Sequence, residues 1–195
     1  MSGKYDGMLA VVKKYHAGQT REGGVKPYWP HCERVGLLLR RALENSGEGS
    51  AEQQENLVLA GLGHDLYEDT TISRKEVQEN FGNDVDCWIE EDTNRFGDGQ
   101  VALYAEKLKS VSEPALLIKF ADLCDNYGTG GSALSENGYD WTKEFLWPIL
   151  EKQWEVIKDL NFEQFPKTAE FLKQAVAVNR EILEQALLQG QEKMA

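Results

Sequence analysis

The sequence has 195 residues, of which 41% are hydrophobic and 28% are charged, and its formal net charge is −12 at pH 7. This length and composition suit one globular domain with a sizeable core and exclude a fibrous or intrinsically disordered chain. The negative charge argues against binding to nucleic acid or to an anionic membrane surface. No apolar run approaches the roughly 20 residues that span a bilayer.

We expect no signal peptide, because no basic stretch precedes a hydrophobic one near Met1. The three cysteines, Cys32, Cys87 and Cys124, lie far apart and form no C-x-x-C pair. Reduced thiols are the simplest interpretation, and they favour a cytoplasmic protein.

Helical periods of apolar residues dominate the chain, and strict alternation is rare. A first helix is predicted from about Met8, and the capping box Ser73-x-x-Glu76 starts a short helix that Gly82 ends. The other predicted helices cover residues 31–45, 51–69, 84–89, 101–110, 114–127, 141–160 and 166–188. Glycines at 128, 130 and 131 are predicted to break the chain. We therefore expect one all-α domain over residues 1–195, with about eight or nine helices.

The end of the predicted helix 51–69 carries four chemically active side chains. They are His64, Asp65, Glu68 and Asp69, at positions i, i+1, i+4 and i+5. On a helix, this spacing forms two pairs of adjacent residues that lie one turn apart. Three acids this close together repel one another unless a cation lies among them. The alternative is a solvated helix end.

A second pair, Asp122 and Asn126, follows a long apolar run at spacing i, i+4. An Asp after such a run is expected to point into the protein or into a pocket, where it needs a partner. The alternative is a helix end at which both side chains satisfy local backbone groups.

Three segments resemble, in order and spacing, the HD-superfamily hydrolase domain of RelA/SpoT-type proteins, which degrade ppGpp. The first segment is YHAGQTR at 15–21 with PYWPH at 27–31, the second is HDLYEDT at 64–70 followed by Phe81-Gly82, and the third is IKFAD at 118–122 with Asn126. The similarity covers about residues 5–130. Residues 141–188 match only in being helical, and the chain is similar to the small stand-alone hydrolases of the group.

The resemblance implies an HD-type helical fold and one divalent metal ion, held by His31, His64, Asp65 and Asp122. Two imidazoles and two carboxylates suit Mn²⁺, with Fe²⁺ or another divalent ion as alternatives, better than a closed zinc site with thiolates. A metal in such a site activates a water and stabilises charge on a phosphoryl group.

The resemblance also assigns roles around that metal. Glu68 and Asp69 are expected to be catalytic, acting on the water or on the leaving oxygen. Arg21 and Asn126 are expected to bind a small phosphorylated substrate, most simply a nucleotide. Either of the last two residues could instead brace a helix.

The chain departs from the family where basic residues are usual, at Glu22, at residues 90–94 and at residues 123–125. We therefore expect a (p)ppGpp 3′-pyrophosphohydrolase-like enzyme and keep two alternatives open. One is an HD phosphohydrolase acting on another compound, such as a nucleoside mono- or triphosphate. The other is a metal-containing nucleotide sensor that does not catalyse. Oligomeric state is not predicted.

Overall fold

The computed structural model describes residues 3–21 and 24–194, with only the backbone described for residues 98 and 192–194. Glu22, one of the departures from the family pattern, lies outside the described residues. Within these ranges the chain forms no β-strand, and its one isolated bridge joins Thr20 to Pro27. None of the described helices is both long and apolar enough to cross a membrane.

The described residues form helices joined by short turns. They are α1 (Gly3–Tyr15), α2 (Trp29–Ser46), α3 (Ala51–Leu62), α4 (Leu66–Asp69), α5 (Arg74–Phe81), α6 (Asn83–Asp92), α7 (Val101–Lys107), α8 (Glu113–Glu136), α9 (Tyr139–Trp141), α10 (Trp147–Ile157) and α11 (Pro166–Met194). A π-helical segment, Thr142–Leu146, joins α9 to α10 without a break. Nine of these helices have seven residues or more. The predicted all-α fold is therefore confirmed.

The helix predicted over residues 51–69 is wrong, because α3 ends at Leu62 and α4 begins at Leu66. Gly63 caps α3, and its N–H donates to the carbonyls of both Leu59 and Ala60. A side chain at Gly63 would lie only 3.0 Å from Ile89 Cδ1, so the turn packs directly against α6. His64 and Asp65 consequently lie in a turn rather than on a continuous helix face.

The predicted break at Gly128, Gly130 and Gly131 is also wrong, because α8 continues to Glu136. Two of these glycines face α11. A Cβ on Gly130 would lie 2.5 Å from Leu183 Cδ2, and one on Gly128 would lie 2.8 Å from Asn179 Nδ2. Without side chains there, α11 approaches α8 closely, so the glycines serve helix packing.

Helix α8 is the centre of the fold, and it is buried along most of its length from Pro114 to Tyr127. Helices α2, α3, α6, α10 and α11 pack around it. Its N-terminus is capped by the Ser112 hydroxyl, which accepts from the Ala115 N–H. This rigid central helix carries the polar residues Lys119 and Asp122 inside the protein.

Candidate metal centre

The candidate centre is formed where three segments meet beside the middle of α8. His31 lies in the first turn of α2, where Pro30 suits a position whose N–H has no helical partner. His64 and Asp65 lie in the turn between α3 and α4, and Asp122 lies on α8. Both histidines and Asp122 are buried.

Two imidazole nitrogens and two carboxylate oxygens from these residues form a ring of donor atoms. Asp65 Oδ2 lies 3.4 Å from His31 Nε2 and 3.0 Å from His64 Nε2. Asp122 Oδ1 lies 3.2 Å and 3.5 Å from the same two nitrogens. The structure thus brings together the four residues predicted as metal ligands.

Both histidines use their Nδ1 atoms elsewhere. His64 Nδ1 lies 2.9 Å from the Gly61 carbonyl oxygen, and His31 Nδ1 lies 2.7 Å from Asp125 Oδ2. An N–H at Nδ1 satisfies these acceptors and leaves Nε2 as an unprotonated ligand atom. His64 Nε2 is buried and makes no hydrogen bond of acceptable geometry with any described residue. A metal ion would give this atom the partner it lacks, so the residues fit such a group.

The ring favours positive charge. Burial lowers the pKa of both histidines, but the neighbouring carboxylates outweigh burial and raise the pKa of His31 to about 9 and that of His64 well above its usual value. Burial raises the pKa of Asp65 and Asp122, yet nearby cationic groups hold both pKa values well below the usual range. Two carboxylates therefore balance either two imidazolium protons or one divalent cation.

The two carboxylates are held from outside the ring. The Tyr28 hydroxyl donates to Asp65 Oδ2 across 2.8 Å. The Lys119 ammonium donates to Asp122 Oδ2 across 2.9 Å, which turns Oδ1 towards the histidines. Lys119 Nζ also lies 3.5 Å from Asp92 Oδ1, and all three of these charged residues are buried. Such outer contacts orient metal ligands and limit their movement.

The two residues predicted to be catalytic differ in position. Glu68 lines the pocket beside the ring, and its Oε2 accepts from the Asn94 N–H across 2.8 Å. Burial of the Glu68 carboxyl, followed by the charge of Asp65, raises its pKa to about 7. Asp69 lies at the end of α4, where its carboxyl interacts with the Tyr28 hydroxyl. Burial and Asp65 also raise the pKa of Asp69.

The residues predicted to bind substrate contact each other. Arg21 Nη2 donates to Asn126 Oδ1 across 2.6 Å, and Asn126 Nδ2 donates to Asp122 Oδ1 across 2.7 Å. Arg21 Nη1 also lies 3.3 Å from Asp125 Oδ2. These contacts connect Arg21 and Asn126 to the ring. They are the contacts expected of residues that brace a helix, which is the alternative role that the sequence analysis left open.

Asp125 is a site residue that the sequence analysis did not identify. It was noted there only as part of residues 123–125, where the chain differs from the family. In the structure it contacts His31, Arg21 and Arg34. Its spacing of three residues from Asp122 is the signal that could have identified it, because such residues share a helix face. The thiol of Cys124 points elsewhere, towards Asn179 on α11.

The ring opens into a pocket of about 170 Å³. The residues that line it are Tyr28, His31, Asp65, Glu68, Asn94, Tyr104, Lys119, Asp122, Asn126, Leu146, Ile149, Leu150 and Gln153. A separate groove of about 450 Å³ is lined in part by Arg21, Lys26 and Arg34. Among the described residues that line the pocket, Lys119 is the one lysine or arginine, and the groove is lined by three such residues.

The sequence matches no protein-family model and no curated protein. The structure is similar to a solved structure of a metazoan protein described as an ortholog of SpoT that hydrolyzes ppGpp and plays a role in starvation responses. The two chains have 23% sequence identity and a TM-score of 0.72, and the similarity covers 92% of this chain and 97% of the other. At this identity the comparison establishes the fold. The chain therefore has the all-α fold of that metazoan protein, over nearly the full length of both.

Proposed function

We propose that the protein is a metal-dependent nucleotide phosphohydrolase of the (p)ppGpp 3′-pyrophosphohydrolase type. The observation that carries the proposal is the ring formed by the buried His31, His64 and Asp122 and the partly exposed Asp65, at the wall of a pocket that Glu68 also lines. The substrate class is supported by the shared fold with a protein described as hydrolysing ppGpp. We also propose that the described helices act as one domain, since α11 packs on α8 and α2.

The proposed cofactor is one divalent ion, and Mn²⁺ is favoured because two imidazoles and two carboxylates form a mixed nitrogen and oxygen donor set. The ion would be held by four atoms: His31 Nε2, His64 Nε2, Asp65 Oδ2 and Asp122 Oδ1. When bound, a metal in such a site lowers the pKa of a water molecule and stabilises negative charge on a phosphoryl oxygen.

Side chains of the protein would carry out proton transfer and substrate binding. The Glu68 carboxylate takes a proton from the attacking water, and a pKa of about 7 suits a group that exchanges protons near neutral pH. Asp69 supports this proton transfer from the end of α4. Asn126 contacts the substrate where it lines the pocket, and Arg21, which braces Asn126 and lines the separate groove, contacts the substrate from there. Lys119 keeps Asp122 in place from the opposite side.

For ppGpp the reaction balances as a hydrolysis. The water oxygen forms a bond to the phosphorus attached to the ribose 3′ oxygen, and the bond between that phosphorus and the 3′ oxygen breaks. The 3′ oxygen gains a proton, and the products are GDP and pyrophosphate. No oxidant, reductant or second substrate is required.

We further propose that the protein works in the cytosol. Cys32, Cys87 and Cys124 are all free thiols, and two of them are buried. A reducing compartment suits such a set.

The test is a hydrolysis screen of the purified protein with Mn²⁺ against ppGpp and against nucleoside mono- and triphosphates, with chromatographic identification of the products. GDP and pyrophosphate from ppGpp are the expected products. Turnover of another nucleotide, with ppGpp left intact, would replace the proposed substrate. Metal and nucleotide binding without any turnover would instead favour a sensor.

Three variants complete the design. His64→Ala should abolish turnover and lower the bound metal measured by mass spectrometry. Glu68→Gln should lose turnover and keep metal, whereas Glu79→Gln, an exposed residue of α5, should change neither. Equal turnover in Glu68→Gln and Glu79→Gln would contradict the proposed proton transfer.

A further inference from the structure

One wall of the pocket beside the ring differs chemically from the others. Four residues of α10 and of the π-helical segment before it line this wall, namely Leu146, Ile149, Leu150 and Gln153. Their spacing places them on one face of the helical run. Three of the four are apolar, so Gln153 is the polar group on a surface that otherwise offers van der Waals contact.

Gln153 is 7% exposed, and its side-chain Oε1 has no hydrogen-bond partner among the described residues. Nearby polar groups of the pocket have other partners. The Tyr104 hydroxyl donates to the Asp92 carbonyl across 2.6 Å, and the Lys119 ammonium donates to Asp122. A buried carbonyl without a partner is destabilising, and a leucine at this position would avoid that cost. The amide therefore has a use that folding alone does not explain.

The unpartnered oxygen determines which part of a ligand it can bind. In the amide orientation assigned to Gln153, Oε1 faces the pocket without a partner and can only accept, so it pairs with a ligand N–H or O–H group. The phosphoryl groups of a nucleotide are largely ionised near neutral pH and offer acceptors. A nucleoside carries donors on its ribose hydroxyls and on its base.

We propose that Gln153 determines specificity by accepting a hydrogen bond from the nucleoside part of the substrate, while Leu146 and Ile149 contact its apolar surface. This inference rests on the proposed nucleotide phosphohydrolase function. It assigns the α10 wall to nucleoside recognition and the ring with Glu68 to the phosphoryl group. Gln153 should therefore not contribute to the affinity for a ligand that lacks the nucleoside.

The test compares Gln153→Leu with Gln78→Leu, which removes an amide that does have a partner, Asp86 Oδ2 at 2.6 Å. Gln153→Leu should raise the Kd for ppGpp at least about 10-fold, with the Mn²⁺ Kd unchanged and the urea midpoint no lower than in the wild type. Gln78→Leu should show the opposite pattern, with a lower urea midpoint and unchanged ppGpp binding. Gln153→Met is a second apolar variant in case the branched side chain fits badly.

Two results would overturn the assignment of Gln153. One is an unchanged ppGpp Kd in both Gln153 variants. The other is an equal loss of affinity for inorganic pyrophosphate, which has no nucleoside. A wild-type protein that binds and hydrolyses no nucleotide would instead overturn the proposed function, and this inference with it, so the two failures are distinguishable.

Discussion

His31 donates a hydrogen bond from Nδ1 to Asp125 Oδ2 across 2.7 Å, and this contact links the candidate metal centre to a pair of arginines. Arg34 binds both oxygens of Asp125, at 2.6 and 3.0 Å, and Arg21 approaches the same carboxylate. Burial raises the pKa of Asp125, but His31 and Arg34 outweigh burial and lower it. A charged Asp125 fixes the His31 ring with Nε2 towards the other ligands.

The first prediction is that Asp125→Ala weakens Mn²⁺ binding about 10- to 100-fold, because an outer carboxylate orients a ligating histidine and raises its basicity. A competition titration with a chelating dye measures the metal Kd. Asp159→Ala removes the same charge from an exposed position on the surface and should leave the Kd unchanged. If the two variants bind Mn²⁺ equally well, Asp125 does not position His31.

The second prediction concerns the buried ammonium of Lys119. Lys119→Met leaves the buried carboxylate of Asp92 without its cation, and burial already raises the pKa of Asp92. We expect a loss of about 3–5 kcal/mol in the free energy of unfolding, the usual cost of removing one partner of a buried ion pair. Urea denaturation of the metal-free protein measures it.

The double variant Lys119→Met/Asp92→Asn tests whether the loss arises from this pair. Neutralising Asp92 should restore part of the stability, because the amide has no charge to leave unpaired. Additive losses from the two substitutions would show that Lys119 stabilises the fold through other contacts.

The third prediction concerns pH and Asp86, which is fully buried and joins α4, α5 and α6. Its carboxylate accepts hydrogen bonds from Tyr67, Arg74 and Gln78. Burial alone raises the pKa of Asp86, but these donors outweigh burial and lower it. A lowered folded-state pKa stabilises the protein above the unfolded-state pKa of about 3.9, and this contribution disappears as the pH falls through the folded-state pKa.

Asp86→Asn should therefore lower the free energy of unfolding by about 1–3 kcal/mol at pH 7, as expected for lost hydrogen bonds to a charged group. The difference from the wild type should stay constant from about pH 7 to pH 5 and shrink below about pH 4. Urea denaturation at a series of pH values measures it. A difference that does not depend on pH would mean that the charge of Asp86 contributes nothing.

The ligand set was predicted from the resemblance to the RelA/SpoT-type hydrolase domain, whose motifs are short local segments that the sequence shows directly. His64 and Asp65 are neighbours in the chain, and Asp122 and Asn126 are one helical turn apart. The all-α fold was predictable from hydrophobic periodicity for the same local reason. The metal-binding roles of these residues remain a prediction.

Residues whose importance depends on distant contacts could not be predicted. The position of Asp125 becomes meaningful only when α2 brings His31 and Arg34 beside α8. The unpartnered oxygen of Gln153 is visible only once α10 covers the pocket. Glycine is ambiguous in the same way, because it both breaks helices and allows two helices to approach closely.

The last prediction separates these two roles of glycine within α8. Gly131 has open space around the position of a Cβ, so Gly131→Ala should stabilise the protein by up to about 1 kcal/mol through helix propensity. A Cβ on Gly130 would meet Leu183 Cδ2 at 2.5 Å, so Gly130→Ala should destabilise by about 1–3 kcal/mol through overpacking. Thermal unfolding of the two neighbouring variants measures both effects, and Leu183→Ala in the Gly130→Ala background should relieve the clash. If both alanines stabilise the protein, the close approach of α11 is not what requires Gly130.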